Sequence, residues 1–406
     1  RATEFAYDYG LDAYALTAAE RWIRLEPDSR LAHGYLGRLY VRRNDLDRAF
    51  TSLDIALGPA ADRMEFEYAG LAADLAEHAP ASRAQQIFAR FAQQSPANPA
   101  VLRAWASLAA QAGDLDTAVE LARQTSALAP AWQPARIMLA NLLLAAGDKS
   151  SAFEQMAFAV EANPGLEMEL EFIRLLNQAD ETDEALERLA RLDIRFPSDP
   201  DLIRVRARTY MAGGDFESAI DDYHYLLDNG FFIDESLWEL GRMAFDQEDY
   251  GASAGYFQRI HTGGWQLPAR LARANAYQRM GDTEAGLGTL DSYVERYPQQ
   301  LIDTLGTRAQ VLLDADRPEE SLEAIELALE YRPWSIDFWL AKGNLLEQME
   351  QYRKAISAFR QAYQLAPEEP LTLNALGYTL ANRTRNYSEA KIYIAQALAK
   401  EPDSPA

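Results

Sequence analysis

Three groups of residues in this sequence have types and spacings that could do chemistry. Gly251-Ala252-Ser253-Ala254-Gly255 has the G-x-S-x-G spacing of a hydrolase nucleophile. A serine in that motif is competent only on a strained turn between a strand and a helix, with its hydroxyl exposed. The histidines His33, His78, His224 and His261 could ligate zinc, but no two of them have the i, i+4 spacing beside a carboxylate that a helical zinc site uses. The third group is Arg174, Arg204, Arg208 and Arg242 with the amides Asn141 and Asn275. A guanidinium offers a planar fork to a carboxylate, and an asparagine offers donor and acceptor to an extended backbone. That is chemistry for holding a peptide, and it requires these side chains to share a face. Paired acids such as Glu319-Glu320 and Glu368-Glu369 fall at helix starts, where carboxylates complement the helix dipole and need no catalytic role.

The elements that must position these groups recur along the chain. Turns reading NDLDRA (44–49), GDLDTA (113–118), GDKSSA (147–152), GDFESA (214–219), EQYRKA (350–355) and RNYSEA (385–390), with related ones between, each end on a small residue. That residue is Ala49, Ala84, Ala118, Ala152, Ala185, Ala219, Ser253, Gly286, Ser321, Ala355 and Ala390 in turn, at gaps of 35, 34, 34, 33, 34, 34, 33, 35, 34 and 35. A small residue at this interval marks where the two helices of a pair cross. Prolines at 96, 130, 164, 197, 298, 333, 367 and 402 follow the second helices, which they cannot continue. Ser253 therefore fills a helix-crossing slot, and its motif is a coincidence of register. Gly213-Gly214-Asp215-Phe216, which resembles part of a cyclic-dinucleotide synthase signature, is likewise an inter-helix turn.

This period and the stretch from Trp339 to Pro367, WLAKGNLLEQMEQYRKAISAFRQAYQLAP, resemble the tetratricopeptide repeat. The fold expected is all-α: a tetratricopeptide-repeat, right-handed superhelical solenoid of about 23 helices. It has a partial repeat over 1–29 and eleven full repeats over 30–406. Asn229-Gly230-Phe231-Phe232 and His261-Thr262-Gly263-Gly264-Trp265 lack the closing proline, so an irregularity or hinge is expected at 229–266. The last helix has no capping partner, and the natural protein is expected to continue past Ala406.

Composition narrows the partner. The net charge is −23 over 406 residues and the pI about 4.6, which repels phosphate backbones and anionic membrane surfaces. There is no cysteine, which excludes disulfides, thiolate metal sites and a cysteine nucleophile. No run approaches the roughly 18 apolar residues of a spanning helix. No cofactor or metal is expected, and no enzymatic activity.

In tetratricopeptide arrays, which this chain resembles along its length, ligands bind the concave side lined by first helices. The residue after the Gly/Ala slot of each first helix runs Arg38, Ala73, Ser107, Asn141, Arg174, Arg208, Arg242, Asn275, Gln310, Asn344 and Tyr378; four residues earlier come positions including Arg103 and Arg204. Neither row contains an acid. Two readings stay open: a peptide groove on Arg174, Arg204, Arg208, Arg242, Asn275 and Asn141, or arginines that pair with acids on neighbouring helices and stitch repeats together. Trp132, Trp265 and Trp334 lie between repeats and either pack that step or expose a rim for a partner.

Leu373 to Ala406, LNALGYTLANRTRNYSEAKIYIAQALAKEPDSPA, carries a more specific likeness. It resembles tetratricopeptide outer-membrane lipoproteins of Gram-negative bacteria, among them the binding partner of a periplasmic carboxyl-terminal processing protease. The resemblance implies a periplasmic, outer-membrane-anchored adaptor that binds the protease and presents substrates such as cell-wall hydrolases, with its lipid anchor upstream of Arg1. The alternative is a periplasmic scaffold for exopolysaccharide export or cell-envelope assembly.

Overall fold

The computed structural model describes residues 2–8, 12–59, 64–367 and 369–400. Glu368, Pro402 and Ala406, used in the sequence reading, lie outside them. Within the described residues every regular element is helical, and the chain forms two compact units, 1–215 and 216–406.

The first unit holds α1 (Ala2–Asp8), α2 (Asp12–Leu25), α3 (Arg30–Arg42), α4 (Leu46–Leu57), α5 (Glu65–His78), α6 (Ala81–Gln94), α7 (Pro99–Gln111), α8 (Leu115–Leu128), α9 (Gln133–Ala145), α10 (Lys149–Ala162), α11 (Leu166–Gln178), α12 (Thr182–Arg195) and α13 (Pro200–Ala212). The second holds α14 (Phe216–Asp228), α15 (Ile233–Asp246), α16 (Tyr250–Arg259), α17 (Gln266–Arg279), α18 (Thr283–Arg296), α19 (Leu301–Asp314), α20 (Pro318–Tyr331), α21 (Ile336–Gln348), α22 (Tyr352–Leu365), α23 (Pro370–Thr384) and α24 (Tyr387–Lys400). The described helices number 24 rather than 23, because α1 supplies a first helix for the partial repeat.

Steric fit at the crossings explains the register. All eleven small-slot residues are buried, from Ala49 at 0% exposure to Ala390 at 2%. Four residues beyond the slot, one turn along the second helix, a large apolar side chain faces a glycine of the first helix. A Cβ on Gly241 would lie 2.7 Å from Phe257, one on Gly377 2.7 Å from Ile394, and one on Gly343 would run into the Phe359 ring. Bulk on one helix is matched by its absence on the other, which lets the backbones approach.

The turns between paired helices are built alike. The residue before the capping position is left-handed in ten of them, from Asn44 (φ 62°) and Gly113 (φ 76°) to Glu350 (φ 59°) and Arg385 (φ 58°). The next N–H reaches five residues back, as in Asp114 to Ala109 and Asp148 to Leu143, satisfying carbonyls the helix end would orphan. Asp45, Asp114, Asp148, Asp249 and Asp282 then cap the second helix by accepting from the backbone N–H three residues on. The last turn differs: α23 is 15 residues long, and the Asn386 N–H reaches six back, to Leu380.

Gly147 tests the turn without any packing term. Its φ is 84°, and a Cβ there would meet nothing within 4 Å. Gly147→Val is expected to lower stability by about 1–2 kcal/mol, the cost of a left-handed non-glycine residue. A denaturant midpoint indistinguishable from the parent would refute the left-handed turn.

The two segments without a closing proline have their own geometry. Gly230 (φ 77°) closes α14, with Phe231 N–H bonded to Leu226 O, and Phe232 is left-handed at φ 45°. Helix α16 spans only 10 residues and is followed by a loop in which Ile260 is fully buried.

Candidate functional site

The sequence places its six binding candidates on first helices, and the structure distributes them between the two units. Asn141 on α9, Arg174 on α11, and Arg204 and Arg208 on α13 belong to the first; Arg242 on α15 and Asn275 on α17 belong to the second. In the first unit α9, α11 and α13 are successive neighbours, and Asn177 Nδ2 donates to Thr209 Oγ1 at 2.7 Å across α11 and α13. Asn141 and Arg208 are exposed, Arg174 and Arg204 half-buried.

Acids share this face, which the two-row reading of the sequence missed. Arg174 pairs with Glu171, Arg204 with Asp201 at 2.9 Å, and Arg242 with Glu239 at 3.0 Å, each three residues earlier on the same helix. Sampling at i−4 passed over i−3, which lies on the same side of a helix. Beside Arg174, a cleft of about 490 Å³ is lined by Leu166, Glu167, Leu170, Glu171, Asp199 and Asp201. The face is therefore a set of Arg–carboxylate pairs rather than an arginine strip. Asn141 donates to the Ile137 carbonyl of its own helix at 3.0 Å, which leaves its side-chain carbonyl as the outward acceptor.

Other residues carry the ion pairs between neighbouring repeats. Arg38 pairs with Asp74, Lys149 with Glu181 at 2.9 Å, Arg206 with Asp193 at 2.8 Å, and Arg383 with Glu347 at 3.0 Å. These pairs are partly exposed, and each contributes on the order of 0.2–1 kcal/mol.

Models described as tetratricopeptide repeat match residues 13–63 and 204–268, 269–299, and 336–369. These matches fall on the helix pairs whose small slots are buried. The chain is a tetratricopeptide-repeat protein. It is 28% identical over 174 residues to a TPR repeat-containing protein of Pseudomonas aeruginosa, covering 43% of this chain and 30% of that protein. It is 25% identical over 141 residues to the peroxisomal targeting signal receptor of Candida albicans, covering 33% of this chain and 24% of the receptor. The alignments thus span less than a third of either curated relative. A tetratricopeptide repeat protein from Parabacteroides merdae superposes with a TM-score of 0.41 at 17% identity, over 61% of this chain and 98% of that one.

The tetratricopeptide register also disposes of the nucleophile. Ser253 lies inside α16 at 0% exposure, in a helix crossing rather than a strained turn, so no substrate carbonyl reaches its hydroxyl. The histidines are separately occupied: His33 Nε2 is 2.9 Å from the Pro27 carbonyl, His78 Nδ1 3.0 Å from that of Asp74, His224 3.3 Å from Tyr256 Oη, and His261 3.3 Å from Arg270. Of the three inter-repeat tryptophans, Trp132 lies against Arg103 and Trp265 packs on Trp238 with ring centroids 5.2 Å apart. Trp334 is 67% exposed. Among the described residues no helix is long and apolar enough to cross a membrane.

Proposed function

We propose that this tetratricopeptide-repeat protein is a periplasmic adaptor, lipid-anchored at the outer membrane, that binds a carboxyl-terminal processing protease and presents protein substrates to it. The observation that carries this reading is the polar face of α9, α11 and α13, where Asn141, Arg174, Arg204 and Arg208 lie on neighbouring first helices, Asn141 and Arg208 exposed and Arg174 and Arg204 half-buried. Extended polypeptide suits such a face, since its carbonyls accept from guanidinium donors and its N–H groups donate to the outward side-chain carbonyl of Asn141. The net charge of −23 favours a protein ligand over nucleic acid. The resemblance of Leu373–Ala406 to the protease-binding lipoproteins supports the choice of partner, and the extra residue of α23 falls within that stretch.

Affinity capture tests it. The folded chain on a resin, exposed to a periplasmic extract, is expected to retain a carboxyl-terminal processing protease that a heat-denatured control does not. Retention of polysaccharide-export proteins without the protease would replace this reading with the export scaffold.

A further inference from the structure

The second unit contains a cleft that the first-helix face does not include. It has a volume of about 510 Å³ and lies between α17 and α18, with Gln258 of α16 and His261 at one end. Arg270 and Arg273 of α17 project from a side of that helix turned well away from Leu271 and Asn275, given 100° per residue. Arg296 lines it from the last turn of α18, and Tyr277, Tyr293 and Tyr297 complete its aromatic walls.

Its charge is opposite to that of the molecule. The chain has 62 acidic and 39 basic residues, yet α17 contains Arg270, Arg273 and Arg279 with no Asp or Glu. No Asp or Glu lines the cleft. Among the described residues Arg270, Arg273 and Arg296 make no ion pair, whereas Arg308 and Arg317 of the same unit do. Arg270 is anchored by the shortness of α16: it donates to the carbonyls of Phe257 at 3.1 Å and Ile260 at 2.9 Å, where the helix ends early. Burial, and then the like charge of Arg273, make its own positive charge costly, lowering its pKa. Arg273 donates to Tyr277 Oη at 2.9 Å, and its buried Nε has no hydrogen-bond partner. Arg296 stands over the Tyr297 ring at 5.6 Å. Three guanidiniums thus share one cleft whose walls carry no carboxylate.

The donors point to a peptide rather than a phosphate. Phosphate sites gather backbone N–H groups at a helix start or a nest. The cleft's α18 wall, Ala285, Gly288, Thr289 and Ser292, lies within a helix whose interior N–H groups are already bonded. The charged donors are side chains spread over two walls and interleaved with aromatic rings, which suits several carboxylates along an extended segment. We propose that this cleft is a docking site for an acidic peptide segment, its carboxylates paired with Arg270, Arg273 and Arg296 and its stem lying against Tyr277, Tyr293 and Tyr297. The site is independent of the protease assignment.

The test uses a fluorescein-labelled glutamate-rich octapeptide, its glutamine counterpart, and fluorescence anisotropy on the full chain. The acidic peptide is expected to bind, the glutamine peptide not, and added salt to weaken binding. Arg273→Gln with Arg296→Gln is expected to weaken it about tenfold or more, because two charge-assisted contacts are lost; Arg270 is left intact because it holds the end of α16. Gly288→Leu supplies a second, charge-neutral block: a Cβ there meets nothing within 4 Å, so the helix accepts it while the side chain fills the cleft. No binding, or affinity unmoved by both cleft variants in folded protein, would overturn the proposal. So would displacement of the peptide by inorganic pyrophosphate at equal concentration, which would make the cleft a small-anion site. Self-association abolished by the cleft variants, without octapeptide binding, would overturn it in favour of a contact between copies.

Discussion

Phe359→Ala is expected to destabilise the second unit by about 3–5 kcal/mol, the usual cost of removing a buried aromatic ring. Phe359 is fully buried and packs among Leu346, Ala355, Ile356, Leu376 and Leu380. Its ring occupies the space that Gly343 leaves by having no side chain. That complementarity predicts a change of sign as well as a magnitude. Gly343→Ala alone should destabilise, by about 1–3 kcal/mol, because its methyl runs into the ring. In the Phe359→Ala background the same methyl enters a cavity and should restore part of the loss, so the two substitutions couple strongly. Each repeat contacts only its neighbours in such an array, so protection from proteolysis or hydrogen exchange should fall first around α21 to α23. Additive losses in the double variant, or a loss below about 1 kcal/mol for Phe359→Ala, would mean that the ring does not sit in the crossing.

The same crossing explains why the fold is legible in the sequence. Only a small residue fits where two helices cross, so the constraint recurs every 34 or so residues wherever a pair is added. All eleven such residues, from Ala49 to Ala390, are buried. The turn is legible for a similar reason: glycine recurs at 113, 147, 214 and 281 because the backbone there is left-handed. Asp180, Glu248, Asp316 and Glu350 adopt the same conformation without glycine, so those turns had to be placed by the period instead. The proposed binding face is less legible, because it depends on three-dimensional neighbours that no period fixes. Glu171, Asp201 and Glu239 change its character from cationic to paired, and their signal was the i−3 spacing from Arg174, Arg204 and Arg242. The cleft beside α17 had a signal as well, an acid-free helix bearing three arginines. Its meaning emerges only with the early end of α16, which turns Arg270 inward to cap the carbonyls of Phe257 and Ile260.

Arg204→Ala combined with Arg208→Ala is expected to weaken binding of the captured protease by tenfold or more while leaving the chain folded. Both residues lie on α13, one turn apart, so one extended segment can meet both. The pairing of Arg204 with Asp201 does not lock that guanidinium away. An intrahelical pair of this kind contributes roughly 0.3–0.5 kcal/mol, whereas a hydrogen bond from a charged group to a ligand contributes roughly 1.5–3 kcal/mol. A ligand carboxylate or carbonyl therefore competes favourably with Asp201 for that guanidinium. Removing Asp201 should then help the ligand, and Asp201→Asn is expected to leave affinity unchanged or raise it. If the arginines serve the fold instead, the order reverses: stability falls first in the double variant, and Asp201→Asn lowers it as well. Salt separates the cases further, because exposed charge contacts are screened beyond about 8 Å at physiological ionic strength, while stability carried by buried apolar crossings such as Phe359 against Gly343 is much less sensitive. Unchanged protease affinity in a folded double variant would take the partner off the first-helix face of this unit. Trp334, 67% exposed between α20 and α21, and the terminal pair α23 and α24 would then be the surfaces left to substitute.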